Sequence, residues 1–135
     1  MFRSNMSRRI NFSSGAIWED KVGYCRAVKV GNHIEVSGTV ASDENGNVVG
    51  ENDPYQQTVF ILQKIEKVLK EAGASLNDVV RTRMFVTDIS RFDEYGKAHG
   101  EFFSSIKPCT AMIEVKGLAA PEYLIEIEAT AILEE

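Results

Sequence analysis

The closing stretch of the chain, residues 124–133, alternates strictly. Ile125, Ile127, Ala129, Ala131 and Leu133 fall on one face of an extended strand, and Leu124, Glu126, Glu128, Thr130 and Ile132 on the other. The first face suits a core. The second is too apolar for open water and too charged for a plain core. A fold that accepts this strand must cover one side of a sheet fully and give the other side partial cover.

Two segments can supply the full cover. Over residues 53–73 Asp53 can cap a helix, Pro54 suits its first position, and Gln56 stands where a capping box takes Glu or Gln. Tyr55, Val59, Leu62, Ile65, Leu69 and Ala72 recur at helical spacing, and Gly73 is expected to end the helix. A second helix is predicted from about Ser90, with Asp93 in its first turn and Phe92, Tyr95, His99, Phe102 and Ile106 as its buried stripe. Gly96 and Gly100 each cost that helix about 1 kcal/mol relative to alanine. Close backbone approach to a neighbour would explain them; simple tolerance is the alternative.

The remaining segments read as strands. Residues 24–30 and 33–36 form a hairpin around Gly31-Asn32, a pair suited to the primed turns that match strand twist. A second turn is expected at Asn45-Gly46, between Val40 and Val48-Val49. In residues 79–87, Val80, Thr82, Met84 and Val86 are predicted on one face, and Val79, Arg81, Arg83 and Phe85 on the other. Residues 111–116 make a further strand, and Pro108 and Pro121 lie outside the ladders.

Two helices cover only one side of such a sheet. The other side is predicted to carry Arg81, Arg83, Phe85, Met112, Glu114, Glu126 and Glu128. Charges of both signs around apolar residues fit a subunit interface, so a homo-oligomer is expected. A chain of 135 residues suits one domain with a real core. It is expected to divide into a flexible N-terminal tail over 1–8, carrying Arg3 and Arg8 just ahead of Arg9, and a domain over 9–135. With 15 basic and 20 acidic residues the formal charge is −5, which argues against a nucleic-acid module. No apolar run is long enough to cross a bilayer, and the N-terminus lacks the apolar segment of a secretory signal. Cys25 and Cys109 have no CxxC spacing and do not cluster with His33 or His99. A reduced, cytoplasmic protein with no metal and no cofactor is the expectation.

Several segments carry a resemblance. Residues 23–38 (GYCRAVKVGNHIEVSG), 78–95 (DVVRTRMFVTDISRFDEY), 101–103 (EFF), Pro108 and 125–131 (IEIEATA) resemble, in order, those of the RidA (YjgF-like) family. The likeness extends over nearly everything after about Arg9. It implies an α+β, chorismate-mutase-like fold, a mixed sheet with two helices packed on one face. It also implies a homotrimer with ligand clefts between subunits. The best-characterised members hydrolyse reactive enamines and imines made by pyridoxal-phosphate enzymes, releasing a 2-keto acid and ammonia.

The resemblance places the family's cleft tyrosine on Tyr24, its cleft serine on Ser37 and its catalytic glutamate on Glu126. It also shows departures. Where the deaminase branch reads Pro-Ala-Arg-Ser, this chain reads Pro108-Cys109-Thr110-Ala111, so Thr110 stands in the place of the substrate-binding arginine. Gly96 replaces an asparagine and Met112 a cysteine. Trp18-Glu19, Gly-Tyr-x-Arg-Ala and His-Gly-Glu-Phe-Phe are similar to a different branch, one lacking that arginine.

Imine hydrolysis needs a held carboxylate, an activated water and a proton for the leaving nitrogen. The expectation is that Glu126 activates water, Tyr24 orients the substrate and Ser37 donates to its carboxylate. Thr110 cannot neutralise a carboxylate; Arg26 or Arg83 either replaces the arginine from another direction or pairs with Glu114, Glu126 or Glu128. Trp18 either stacks on the ligand or caps the core. His99 reads as a core histidine that could border the cleft. Cys109 has no base beside it in sequence and reads as a buried strand cysteine. The expected ligand is a small metabolite bearing a carboxylate or amide. Two alternatives stand beside the deaminase: a non-catalytic binding or regulatory trimer of the same fold, and an endoribonuclease, which the acidic balance disfavours.

Overall fold

A computed structural model of the chain describes residues 8–134. The expected tail thus lies outside the described residues except for Arg8, which is exposed. In chain order the elements are β1 (Arg9–Phe12), α1 (Ile17–Val22), β2 (Ala27–Val30), β3 (His33–Thr39), α2 (Pro54–Glu71), β4 (Val79–Val86), α3 (Phe92–Phe103), β5 (Cys109–Glu114) and β6 (Ile125–Ile132). Short 3-10 turns precede β4 and α3, at Leu76–Asp78 and Ile89–Arg91. The strands form one mixed sheet in the order β1-β2-β3-β6-β4-β5, parallel only between β4 and β5. α2 packs on β3, β6 and α3, giving the α+β arrangement with helices on one face. β1 and α1 are additions to the sequence reading, since neither is long enough to show a period.

β6 lies between β3 and β4 and pairs antiparallel with both. Ile125, Ile127, Ala129 and Ala131 are all buried, as the alternation predicts. They meet Ile61, Leu62, Ile65, Val68 and Leu69 of α2 and Tyr95 and Phe103 of α3 in one core. Each fully buried aliphatic side chain here contributes roughly 1.5–3 kcal/mol relative to exposure.

α2 begins and ends close to expectation. The Asp53 side chain accepts a hydrogen bond from the Gln56 backbone N–H at 3.0 Å, Pro54 occupies the first turn, and Gly73 follows the helix with φ 84°. Its buried face is broader than predicted. Tyr55 and Val59 are only half-buried, while Gln57 and Thr58 are buried because each finds partners. Gln57 Nε2 donates to the Gly50 and Glu122 carbonyls, and Thr58 donates to the Pro54 carbonyl. In α3 the core positions are Tyr95, Ala98 and Phe103; Phe92 is exposed and His99, Phe102 and Ile106 are only partly covered. Within the protomer nothing comes within 4 Å of a Cβ built on Gly100, and at Gly96 only Phe92 does, at an ordinary 3.9 Å. Nothing within the protomer itself therefore requires glycine at either position.

Two strand assignments need correction. In β4, Val79 is buried and Val80 exposed, the reverse of the prediction, because an irregularity between Val79 and Arg81 shifts the register against β6. In β5, Thr110, Met112 and Glu114 pair with Thr82, Met84 and Val86, whose side chains are buried under the helices. Met112 and Glu114 therefore belong to the helix side of the sheet. The helix-free side receives Cys109, Ala111 and Ile113, opposite Arg81, Arg83 and Phe85. Cys109 is exposed there rather than buried. The hairpin turn at Gly31-Asn32 is as expected, although β2 starts at Ala27 rather than Tyr24. The Asn45-Gly46 turn closes a Ser42–Val48 bridge.

These local features set two stability expectations. Asp53→Ala removes the N-cap of α2 and should cost about 1 kcal/mol. Gly100→Ala fills open space in a helix interior and should gain about as much. Urea unfolding of both variants checks the signs.

Candidate functional site

Ser37 and Gly38 interrupt the regular pairing of β3 with β6, whose register shifts between Val36 and Thr39. Gly38 faces the Glu126 side chain: a Cβ added there would lie 2.5 Å from Glu126 Oε2 and 2.8 Å from Cδ. Glycine is thus what gives the carboxylate its room. Glu126 is half-buried on the helix-free side, opposite Phe85 of β4. Burial raises its pKa, the nearby Glu128 raises it further, and Arg26 pulls it part of the way back.

Arg26 is fixed by the same irregular stretch. Its Nη2 donates to the Gly38 carbonyl at 2.9 Å and its Nη1 to Thr39 Oγ1 at 3.2 Å. The guanidinium also lies 5.6 Å from the centre of the Tyr24 ring, within cation–π range. Glu126, Arg26, Gly38 and Tyr24 are therefore gathered around one end of β3. Arg83 takes the other role foreseen for it, a long ion pair with Glu128 at 4.0 Å, both groups well exposed.

Beside Tyr24 a depression of about 460 Å3 opens, with Arg9, Asn11, Glu19, Tyr24, Cys25 and Ser37 among its walls. The Ser37 hydroxyl donates to the Cys25 carbonyl at 2.6 Å. Its proton is thereby spent, so Ser37 offers a ligand its lone pairs; the expected donation to a carboxylate is not available in this arrangement.

Glu19, singled out in sequence only as the partner of Trp18, organises this wall. It is buried, accepts from Ser13 Oγ at 2.8 Å and from the Ser14 backbone N–H at 3.1 Å, and also receives the Ser14 hydroxyl. Burial alone would raise its pKa; the Ser14 and Ser13 hydrogen bonds and the Arg26 charge outweigh that and hold it low. Its backbone carbonyl accepts from Gly23 and Tyr24, which sets where Tyr24 begins. Ser13, Ser14 and Glu19 lie within a few residues, but no spacing rule in sequence announces such a clasp. Trp18 is exposed, lies beneath Lys21 at 5.2 Å, and is not among the walls of the depression.

Thr110, Met112 and Gly96 are not brought to this cluster. Thr110 lies on the helix side, bonded to Thr82 Oγ1 at 2.7 Å, and Thr82 Oγ1 also meets His99 Nε2 at 2.9 Å. Burial lowers the His99 pKa. The sheet separates these residues from Glu126, and β5 is an edge strand. Among the described residues no group of His, Cys, Asp and Glu is arranged to hold a metal ion.

Residues 18–133 match the family model described as Endoribonuclease L-PSP. A RutC family protein of Pyrococcus abyssi is 37% identical over 111 residues, 82% of this chain and 87% of that protein. The crystal structure of a Mycobacterium tuberculosis member of the YjgF/YER057c/UK114 family superposes with TM-score 0.84 at 46% identity, covering 93% of this chain and 99% of the other. A putative endoribonuclease of Thermotoga maritima superposes at 0.79 with 28% identity over the full length of both chains.

The raised pKa of Glu126 has a measurable consequence. Folding favours its protonated form, so its contribution to stability is complete below the unfolded value of 4.5 and is lost as pH rises through the raised folded value. Glu126→Gln mimics the protonated form. It should unfold at higher urea than the parent at pH 7, with the difference closing as pH approaches 4.5. An unchanged difference across that range would contradict the assignment.

Proposed function

From the premise that this chain belongs to the Endoribonuclease L-PSP family, whose members are also called YjgF or Rid proteins, we propose that it hydrolyses reactive enamine or imine metabolites, with Glu126 as the proton-transfer group. The observation that carries the proposal is a carboxylate of raised pKa, half-buried over a glycine that leaves it space, beside Arg26 and Tyr24. A carboxyl group tuned upward from the ordinary range is matched to both halves of the reaction. As a base it takes a proton from water while the oxygen adds to the imine carbon. As an acid it returns that proton to nitrogen. Glu126 then takes the remaining proton of the added hydroxyl and passes it to the nitrogen as the carbon–nitrogen bond breaks, leaving a carbonyl product and ammonia.

The site is proposed to be completed between copies in a homotrimer. Glu126 occupies the helix-free face with Arg26 and Tyr24 near it, whereas Thr110 sits near a sheet edge on the opposite face. A ligand touching both halves would be held by two protomers. The helix-free face also carries half-exposed Val30, Ile113 and Ile132 among its charges, a mixture that fits cover by another copy.

One observation favours a second reading, a trimer that binds a small metabolite without turning it over. Arg26 already has two protein acceptors, and by resemblance Thr110 stands where the deaminase branch has arginine. Endoribonuclease action, named for the family model, sits poorly with a formal charge of −5.

Ammonia release from an amino-acid-derived imine tests the first reading. Glu126→Gln should lower kcat by about 10²-fold or more while the protein stays folded. Gly38→Ala should lower it by roughly ten- to a hundredfold by displacing the carboxylate. Full activity in folded Glu126→Gln would remove Glu126 from the mechanism. Ligand-induced thermal stabilisation without product would favour the binding reading.

A further inference from the structure

A second depression, of about 260 Å3, opens where α3 gives way to β5. Its walls are drawn from His99, Gly100, Phe103, Lys107, Pro108 and Thr110, with Ser104, and contain no carboxylate. Much of the lining is apolar. The Phe103 and His99 rings lie 4.7 Å apart, and Gly100 places no side chain in the space.

Two independent features give this hollow a polarity. The first is a chain of hydrogen bonds. Thr82 Oγ1 donates to Thr110 Oγ1 at 2.7 Å, so its lone pair receives His99 Nε2–H at 2.9 Å. The chain runs from His99 through Thr82 to Thr110 and leaves the Thr110 hydroxyl hydrogen for an acceptor in the hollow. The second is Lys107, held at φ 56°, a left-handed conformation that glycine or asparagine adopts at lower cost. Its backbone N–H closes the turn onto the Phe103 carbonyl at 2.8 Å, a bond any residue but proline could make. Nothing in the turn itself calls for lysine. Strain of this kind at the wall of a cavity is a mark of a working position.

We propose that this hollow seats the carboxylate end of the ligand, with the Lys107 ammonium as its counter-charge, the Thr110 hydroxyl as a second donor, and the Phe103 and Pro108 surfaces beside a short aliphatic chain. The inference rests on the reading that Thr110 borders the ligand cleft, and it supplies the cation that Thr110 itself does not.

The probes are isobutyrate and isobutyramide, which share shape and differ in charge. They are titrated into the whole protein while the amide and methyl NMR signals of residues 99–110 are followed. Isobutyrate should shift the signals of His99, Lys107 and Thr110 and bind at least about fivefold more tightly than the amide. Lys107→Gly keeps the turn, since glycine is at ease there, and removes the ammonium together with its alkyl stem. It should bring isobutyrate down to the affinity of the amide while holding or raising the unfolding midpoint. Thr110→Val should weaken both probes. Equal binding of acid and amide, undiminished isobutyrate binding in Lys107→Gly, or no response at Thr110 would each overturn the proposal. Glu126→Gln separates the two claims. It should lower imine hydrolysis by about 10²-fold or more and keep isobutyrate binding. Hydrolysis without a carboxylate seat would sink only this inference, and a seat without hydrolysis would sink only the enzymatic reading.

Discussion

Everything in this fold hangs on the pairing of β6 with β3 on one side and β4 on the other. The inward row of β6, from Ile125 to Ala131, meets α2 and α3, and the energy of burying it fixes the register. Once the register is fixed, Glu126 and Glu128 have no choice of face. A slip by one residue would drive both carboxylates under the helices, at a cost no ion pair could offset. The acidic chemistry of the outer face is thus a by-product of the apolar demand of the inner one.

The same logic explains what was legible in the sequence and what was not. Period-two and period-3.6 patterns identify β6, β4 and α2 because burial there is strong and regular. The caps of α2 are legible because Asp53 and Pro54 act locally. Val79 and Val80 are misread because an irregularity against β6 leaves no mark in a run of two identical residues. Met112 and Glu114 are placed on the wrong face for a different reason. β5 meets its only neighbour in parallel, and the chain that joins them passes through α3, so no turn ties its register to β4. β1 and α1 are too short for any period to emerge.

The candidate site was half readable. Glu126 and Tyr24 could be found through resemblance, and Arg26 through the need for a cation. What could not be read is how they are held. The guanidinium of Arg26 reaches Gly38 and Thr39 because the β3 ladder is irregular there, and Glu19 becomes the anchor of the Tyr24 segment through serines that a linear pattern does not single out. Both are consequences of tertiary placement. Thr110 shows the converse: its identity is plain in sequence, but its bonding to Thr82 and, through it, to His99 appears only when α3 is laid against the sheet.

Gly38 belongs to β3, yet it decides where a side chain carried by β6 can rest. The strand that bears the carboxylate is under heavy constraint from the core, so substitutions along it are costly. At this position of its neighbour, the atoms nearest to an added methyl group are those of the Glu126 side chain. A change of volume at position 38 would therefore displace the carboxylate relative to Arg26 and Glu128, and shift its acidity, while leaving Glu126 itself unaltered.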